Sequence, residues 1–259
     1  MRVSMYLKFI LLGLLLIFTV CVTADSPVIA VASNLTAPLT QIAKEFETNT
    51  GTTLRLTFGS SGTLARQIIQ GAPFELFISA NADFVELLFH EGVISSSGWA
   101  FAEGPIGLFI PNESTLYAGA SLASVITALK YSDYRKLVLA NPKLAPYGAA
   151  AVRALQSGGI WVIEQDRMLL AEDVSQVVPY ALSGNVDIAV IPFSFMQQEN
   201  MKDRGIYIPF PDAWYKPVTQ YVVLLDTASD VTREFEQFLG SDRAKAILRD
   251  YGYNIPVTR

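Results

Sequence analysis

Gly59-Ser60-Ser61-Gly62-Thr63-Leu64-Ala65-Arg66 sits between two periodic segments of different kind. Before it, Leu54, Leu56 and Phe58 alternate with Thr53, Arg55 and Thr57, the period-2 pattern of a half-buried strand. After it, Leu64, Ala65, Ile68 and Ile69 share one helical face, and Gly71 and Pro73 stop the helix. A strand, a pair of hydroxyls and a helix start bring free N–H groups and the positive end of a helix dipole to one spot, which suits an anion. Gly-Ser loops are also ordinary turns. The neighbouring segments decide between the two.

Upstream, Val28-Ile29-Ala30-Val31-Ala32 is a continuous apolar run that suits a strand buried on both faces. Ser33-Asn34 follows, then a helix with Leu39, Ile42, Ala43 and Phe46 on one face. Downstream, Phe74-Glu75-Leu76-Phe77-Ile78-Ser79 reads as a third strand, and Phe84, Leu87 and Leu88 mark a third helix. This βαβαβ order predicts a parallel sheet with helices on both sides, with ligands at the carboxyl ends of its strands. Ser33-Asn34 and Ser60-Ser61 both lie there.

The pattern restarts at Ile106-Gly107-Leu108-Phe109-Ile110. A helix over 122–130 and a strand over 136–139 lead to Asn141-Pro142-Lys143-Leu144-Ala145-Pro146-Tyr147-Gly148, a loop opening onto an alanine-rich helix that ends at Gly158-Gly159. Ala171-Glu172-Asp173-Val174 is expected to open a further helix, with Asp173 as N-cap and Gln176 completing a capping box. Strands at 187–191, 207–209 and 218–225 and helices at 231–239 and 243–251 finish the chain. Two α/β halves without a flexible linker predict two lobes joined by crossing strands, 25–105 plus 221–259 and 106–220, with a hinge between them.

Residues 1–24 have the layout of a secretory signal peptide: Arg2 and Lys8 near the start, an apolar core over 9–22, and small residues before a cut after Ala24. The core is short for a membrane span. Cys21 invites a lipoprotein reading, but Phe18-Thr19-Val20 lacks the small residue such processing wants. Removing Arg2 and Lys8, two positive charges, takes the net charge from −5 to −7. That argues against nucleic acid and anionic membrane surfaces as partners, while a small anion responds to local dipoles. Beyond residue 24 there is no cysteine and one histidine, His90, so stability rests on burial and not on disulfides.

A serine nucleophile needs a base. His90 falls on the polar side of an ordinary helix, and the Gly-Ser-Ser-Gly turn is not a Gly-x-Ser-x-Gly elbow. A secreted hydrolase acting through Ser60 or Ser61 is therefore disfavoured. A metal site fares no better without a second histidine or a cysteine.

Ala30-Val31-Ala32-Ser33-Asn34-Leu35 and Gly59 through Ile68, behind a signal peptide, resemble the periplasmic molybdate-binding proteins of bacterial ABC importers. The resemblance continues through Gly71-Ala72-Pro73-Phe74-Glu75-Leu76-Phe77-Ile78-Ser79-Ala80, where the family usually has Asp in place of Glu75. It extends over Asn141-Pro142, Ala145-Pro146-Tyr147-Gly148, Ala171-Glu172-Asp173-Val174 and Tyr251-Gly252-Tyr253, nearly all of the chain past the leader. It implies a type II periplasmic-binding-protein fold, α/β and two-lobed. It also implies capture of molybdate or tungstate, no enzymatic activity, no cofactor, a membrane permease as partner and a monomer in the periplasm. The ligand groups it implies are Ser33, Asn34, Ser61, Tyr147 of the Pro-Tyr-Gly turn, and a backbone N–H at Val174. A second branch of the family places a tyrosine just after the strand at 187–191, where this chain has Pro192.

Both oxyanions are tetrahedral dianions at neutral pH and accept hydrogen bonds only, so their pocket needs donors only. Sulfate is the nearest alternative ligand, separated by pocket size. Phosphate carries a proton that asks for an acceptor. A sensor module that binds without transport is the alternative outside the transport class. Asp173 beside a dianion would repel it, so its carboxylate is expected to point back into its own turn.

Overall fold

The computed structural model describes residues 26–161 and 165–256. The expected leader, Cys21 and the cut after Ala24 lie outside them. In chain order the strands are β1 (Val28–Ala32), β2 (Arg55–Gly59), β3 (Leu76–Ser79), β4 (Trp99–Gly104) and β5 (Ile106–Pro111). Then come β6 (Leu137–Ala140), β7 (Met168–Ala171), β8 (Ile188–Pro192), β9 (Gly205–Pro209) and β10 (Val218–Leu224). The α-helices are α1 (Thr36–Thr50), α2 (Ser61–Ile69), α3 (Asp83–His90) and α4 (Leu122–Lys130). They continue with α5 (Pro146–Ser157), α6 (Val177–Ala181), α7 (Asp230–Leu239) and α8 (Asp242–Asp250).

The strands form two five-stranded sheets, ordered β2-β1-β3-β10-β4 and β7-β6-β8-β5-β9. β1 runs parallel to β2 and β3, as the βαβαβ order predicts, while β10 and β4 join antiparallel. In the second sheet β6 is parallel to β7 and β8, and β5 is antiparallel to β8 and β9. The chain crosses between sheets at Gly104-Pro105-Ile106 and again over 210–217, re-entering the first sheet at Val218.

The apolar run of β1 is buried on both faces. Ile29 and Val31 pack with Leu39 and Phe46 of α1 and Phe235 of α7, while Ala30 packs on the other face with Leu64 and Ala65 of α2 and Leu88 of α3. Each large side chain taken out of water there is worth about 1.5–3 kcal/mol. β2 is an edge strand and stays half-exposed, which is why its sequence alternates.

Glu75 has a structural task. Its carboxylate accepts from the Ser229 N–H (2.8 Å), the Ser229 hydroxyl (2.5 Å) and the Thr232 hydroxyl (2.6 Å) at the start of α7. Burial pushes this carboxyl up, but those hydrogen bonds prevail and hold it below the usual range.

The region after β7 corrects one expectation. α6 begins at Val177, with Gln176 before it and no side-chain cap, so no helix opens at Val174 and no capping box forms. Asp173 instead accepts from the Ser175 N–H (2.8 Å), the Ser175 hydroxyl (2.6 Å) and the Gln176 N–H (3.3 Å). A short acidic side chain satisfied by donors two and three residues on makes a tight turn, which competes with helix initiation. The carboxylate does point back into its own turn, as its expected repulsion of an anion required.

Candidate functional site

The Gly59–Arg66 stretch folds as strand, cap and helix. Ser60 is the N-cap of α2: its hydroxyl accepts from the Thr63 N–H at 3.2 Å and donates to the Thr63 hydroxyl at 2.8 Å. Ser61 is the first residue of α2 and is buried. Its Oγ accepts from the Ala80 N–H at 3.0 Å, which leaves the Ser61 O–H free to donate. Among the described residues neither serine has a histidine or carboxylate as a hydrogen-bond partner, and His90 is exposed at the end of α3. The arrangement therefore supplies no general base.

Ser33 and Asn34 form a buried 3-10 turn between β1 and α1, so their N–H groups stand at the head of that helix. The Ser33 hydroxyl makes no hydrogen bond among the described residues. From the second sheet, α5 starts at Pro146, and its first-turn N–H groups, Tyr147 among them, have no partner further back in the helix. The Val174 N–H donates to no backbone carbonyl among the described residues. It is offered by a turn, so the helix-dipole contribution expected there is absent.

These groups meet in one place. Ser33, Asn34, Ser60, Ser61 and Ala80 from the first lobe and Ala145, Pro146, Tyr147 and Val174 from the second line one small cleft between the lobes. Among the described residues no charged side chain lines it. The lobes touch beside it: the Gly62 N–H donates to the Leu144 carbonyl at 2.9 Å. All five residues expected from the sequence are thus brought together.

Three further residues at the site were not anticipated. Asn34 Nδ2 donates to Gln220 Oε1 (2.9 Å) and the Tyr253 hydroxyl (3.0 Å), with the Tyr147 hydroxyl at 3.4 Å. The Asn34 carbonyl accepts from the Tyr253 hydroxyl (2.9 Å) and the Ser194 hydroxyl (3.3 Å). Burial pushes the Tyr147 and Tyr253 phenols up, so both are neutral at pH 7. The traces of this network in the sequence are Tyr253, in the Tyr251-Gly252-Tyr253 stretch, and Gln220, one polar amide inside the long apolar run of β10.

Among the described residues no cluster of His, Cys, Asp or Glu could hold a metal ion, and no helix is long and apolar enough to cross a membrane.

Two α/β lobes closed on a small cavity lined by neutral donors define a solute-binding protein. The chain belongs to the family described as bacterial extracellular solute-binding protein, which it matches over residues 27–254. It is 32% identical over 234 residues to the molybdate-binding protein ModA of Rhodobacter capsulatus, covering 89% of this chain and 88% of that one. It is 29% identical over 230 residues to the molybdate-binding protein ModA of Azotobacter vinelandii, covering 88% and 89%. The solved periplasmic molybdate-binding protein of Azotobacter vinelandii superposes with a TM-score of 0.80 at 25% identity, over 90% of this chain and all of that one.

Proposed function

We propose that this protein captures molybdate or tungstate outside the cytoplasm and delivers it to the membrane permease of an ABC importer, without catalysing a reaction. One observation carries the choice of ligand class: an interlobe cavity whose polar lining can donate from both lobes and presents no charged group. Burying a bare dianion costs tens of kcal/mol in a low-dielectric medium. Roughly seven charge-assisted hydrogen bonds at about 1.5–3 kcal/mol each, with the dipoles of α1, α2 and α5, offset a large share of that.

In this reading Ser33 and Ser61 give hydroxyl and N–H donors, and Asn34, Tyr147 and Val174 give backbone N–H groups. Tyr147 acts through its backbone, since its hydroxyl stands among Asn34, Gln220 and Tyr253. The lobes we propose are residues 26–104 with 218–256, and 106–217; the second boundary moves from the expected 220/221 because Val218, Thr219 and Gln220 pair with β4 of the first sheet. They open and close about the two crossings, and the protein works as a monomer after its leader is cut behind Ala24.

Calorimetric titration with molybdate, tungstate, sulfate and phosphate tests the proposal. Molybdate or tungstate is expected to bind tightest, with little change in affinity between low and moderate sodium chloride, because buried groups are screened little. Arg153 and Lys216 line an outer groove that shares Ala80 and Pro146 with the cavity, outside the donor shell. Sulfate is expected to compete poorly, because a smaller tetrahedron leaves buried donors unpaired. Scattering from the same samples is expected to show a smaller radius of gyration with molybdate bound. Equal affinity for sulfate would remove molybdate from the proposal, and no binding of any oxyanion would end it.

Ser61→Ala removes one donor to the ion and leaves the Ala80 N–H unpaired. Its expected cost is about 1.5–3 kcal/mol of binding, roughly a 10- to 100-fold rise in Kd for molybdate. An unchanged Kd places the ion elsewhere.

A further inference from the structure

Asn34 stands in the donor turn, yet both hydrogens of its carboxamide are engaged inside the protein, by Gln220 Oε1 at 2.9 Å and the Tyr253 hydroxyl at 3.0 Å. The Tyr253 hydroxyl also donates to the Asn34 carbonyl at 2.9 Å, so one phenol grips both ends of the residue. Ser194, in the second lobe just after β8, adds a bond to the same carbonyl at 3.3 Å. All four residues are buried: Asn34 is 1% exposed, Ser194 3%, Gln220 0% and Tyr253 3%.

The placing of the two new partners has visible causes. Gln220 falls on the buried face of β10 with Val218 and Val222, so the strand's own alternation aims its amide inward, while the extra residue at the register shift against β10 is Phe101 of β4. The Gln220 amide is turned inward and satisfied at both ends, since Nε2 donates to the Val218 carbonyl at 2.7 Å. Tyr253 lies in the tail after α8, which is tied to the crossing strand by reciprocal backbone bonds between Glu103 and Asn254 of 2.8 and 2.9 Å. The tail is thereby fixed to the segment about which the lobes move.

We infer that Tyr253, seconded by Gln220 and Ser194, is a positioning residue for the oxyanion site: it fixes the Asn34 turn so that the N–H groups at 33–34 face the ion, and it makes the C-terminal tail part of the binding machinery. This rests on the proposed function for the identity of the ion. The side chain of Asn34 holds the turn and its backbone serves the ligand. Because Tyr253 also meets Ser194 at 3.3 Å, the same hydroxyl joins the donor turn to the second lobe in the closed protein.

The test is a double-mutant cycle on the full chain, read by calorimetric titration with sodium molybdate. Tyr253→Phe keeps the ring and removes the hydroxyl, and a rise in Kd of about tenfold is expected, the worth of about one hydrogen bond. In an Asn34→Ala background the hydroxyl keeps its bond to the backbone carbonyl of residue 34 but loses the carboxamide, so the same change is expected to raise Kd less, about threefold. A general loss of stability would add equally in both backgrounds, so equal effects overturn the inference. A wild-type Kd for Tyr253→Phe overturns it as well. If Tyr253→Phe does not fold, Ser194→Ala takes its place, with a rise of about threefold expected and no change counting against the inference. Failure of the wild-type chain to bind molybdate is a failure of the proposed function and is read before any variant.

Discussion

Gly148→Ala is expected to raise the Kd for molybdate more than about 100-fold and to lower stability by about 3 kcal/mol, the upper part of the range for overpacking. Gly148 lies in the first turn of α5, where the helix seats on the end of β6. A Cβ there would stand 2.1 Å from the Ala140 carbonyl oxygen, 2.7 Å from its carbon and 3.0 Å from the Asn141 carbonyl carbon, all of them backbone. None of these atoms can swing aside as a side-chain tip does. The helix start must lift, taking with it the N–H of Tyr147 and the Ala145-Pro146 edge of the cavity. Losing well-aimed bonds to a charge at about 1.5–3 kcal/mol each accounts for the expected drop. Titration and thermal unfolding of the same sample check it, and near-wild-type binding would show that the start of α5 is not part of the site.

Asp187→Asn is expected to weaken the protein by about 3 kcal/mol while leaving molybdate affinity within about twofold. Asp187 is fully buried ahead of β8, and its carboxylate accepts from the Arg135 N–H (2.7 Å), the Thr115 N–H (3.0 Å) and the Arg135 guanidinium (2.7 Å). Breaking a buried pair costs about 3–5 kcal/mol. The lower figure applies because the Arg135 side chain is 39% exposed and water takes over part of its solvation. For a chain of this size that is a fall in Tm of roughly 6–12 °C.

Burial pushes the Asp187 carboxyl up, but the bonds from Arg135, Thr115 and Ser114 outweigh it and lower its pKa from 3.8 to about 2. A depressed carboxyl contributes stability above its unfolded pKa, and that contribution is lost as pH falls from about 4 through about 2. Wild-type stability is expected to decline over that interval, and the decline to be shallower in Asp187→Asn. Parallel curves would show that another group governs acid unfolding. None of the partners of Asp187 lines the cavity, which is why binding should survive.

How much of this was legible in the sequence followed from how local each feature is. β1, α1, β2, α2 and β3 were readable because burial on one or two faces writes a period into consecutive residues. β4 and β7 were not read. β4 exists because β10 lies beside it in register, and its own residues, Trp-Ala-Phe-Ala-Glu-Gly, carry no clean alternation. The turn at 173–176 was misread as a helix start because a capping box and an aspartate turn open with the same residue types. The five expected cavity residues were legible through their motifs, and the structure brings them within one small space.

By itself, then, the sequence determined the α/β class, the two-lobed order and the Gly-Ser-Ser-Gly and Pro-Tyr-Gly turns, since each depends on neighbours a few residues apart. Only the tertiary structure decided that the Asn34 carboxamide is spent on Gln220 and Tyr253, that Tyr147 turns its hydroxyl away to the same network, and that Gly148 must be bare. The first two depend on pairs 113, 186 and 219 residues apart in the chain, and the third on how closely α5 seats on the end of β6, and no local period records them.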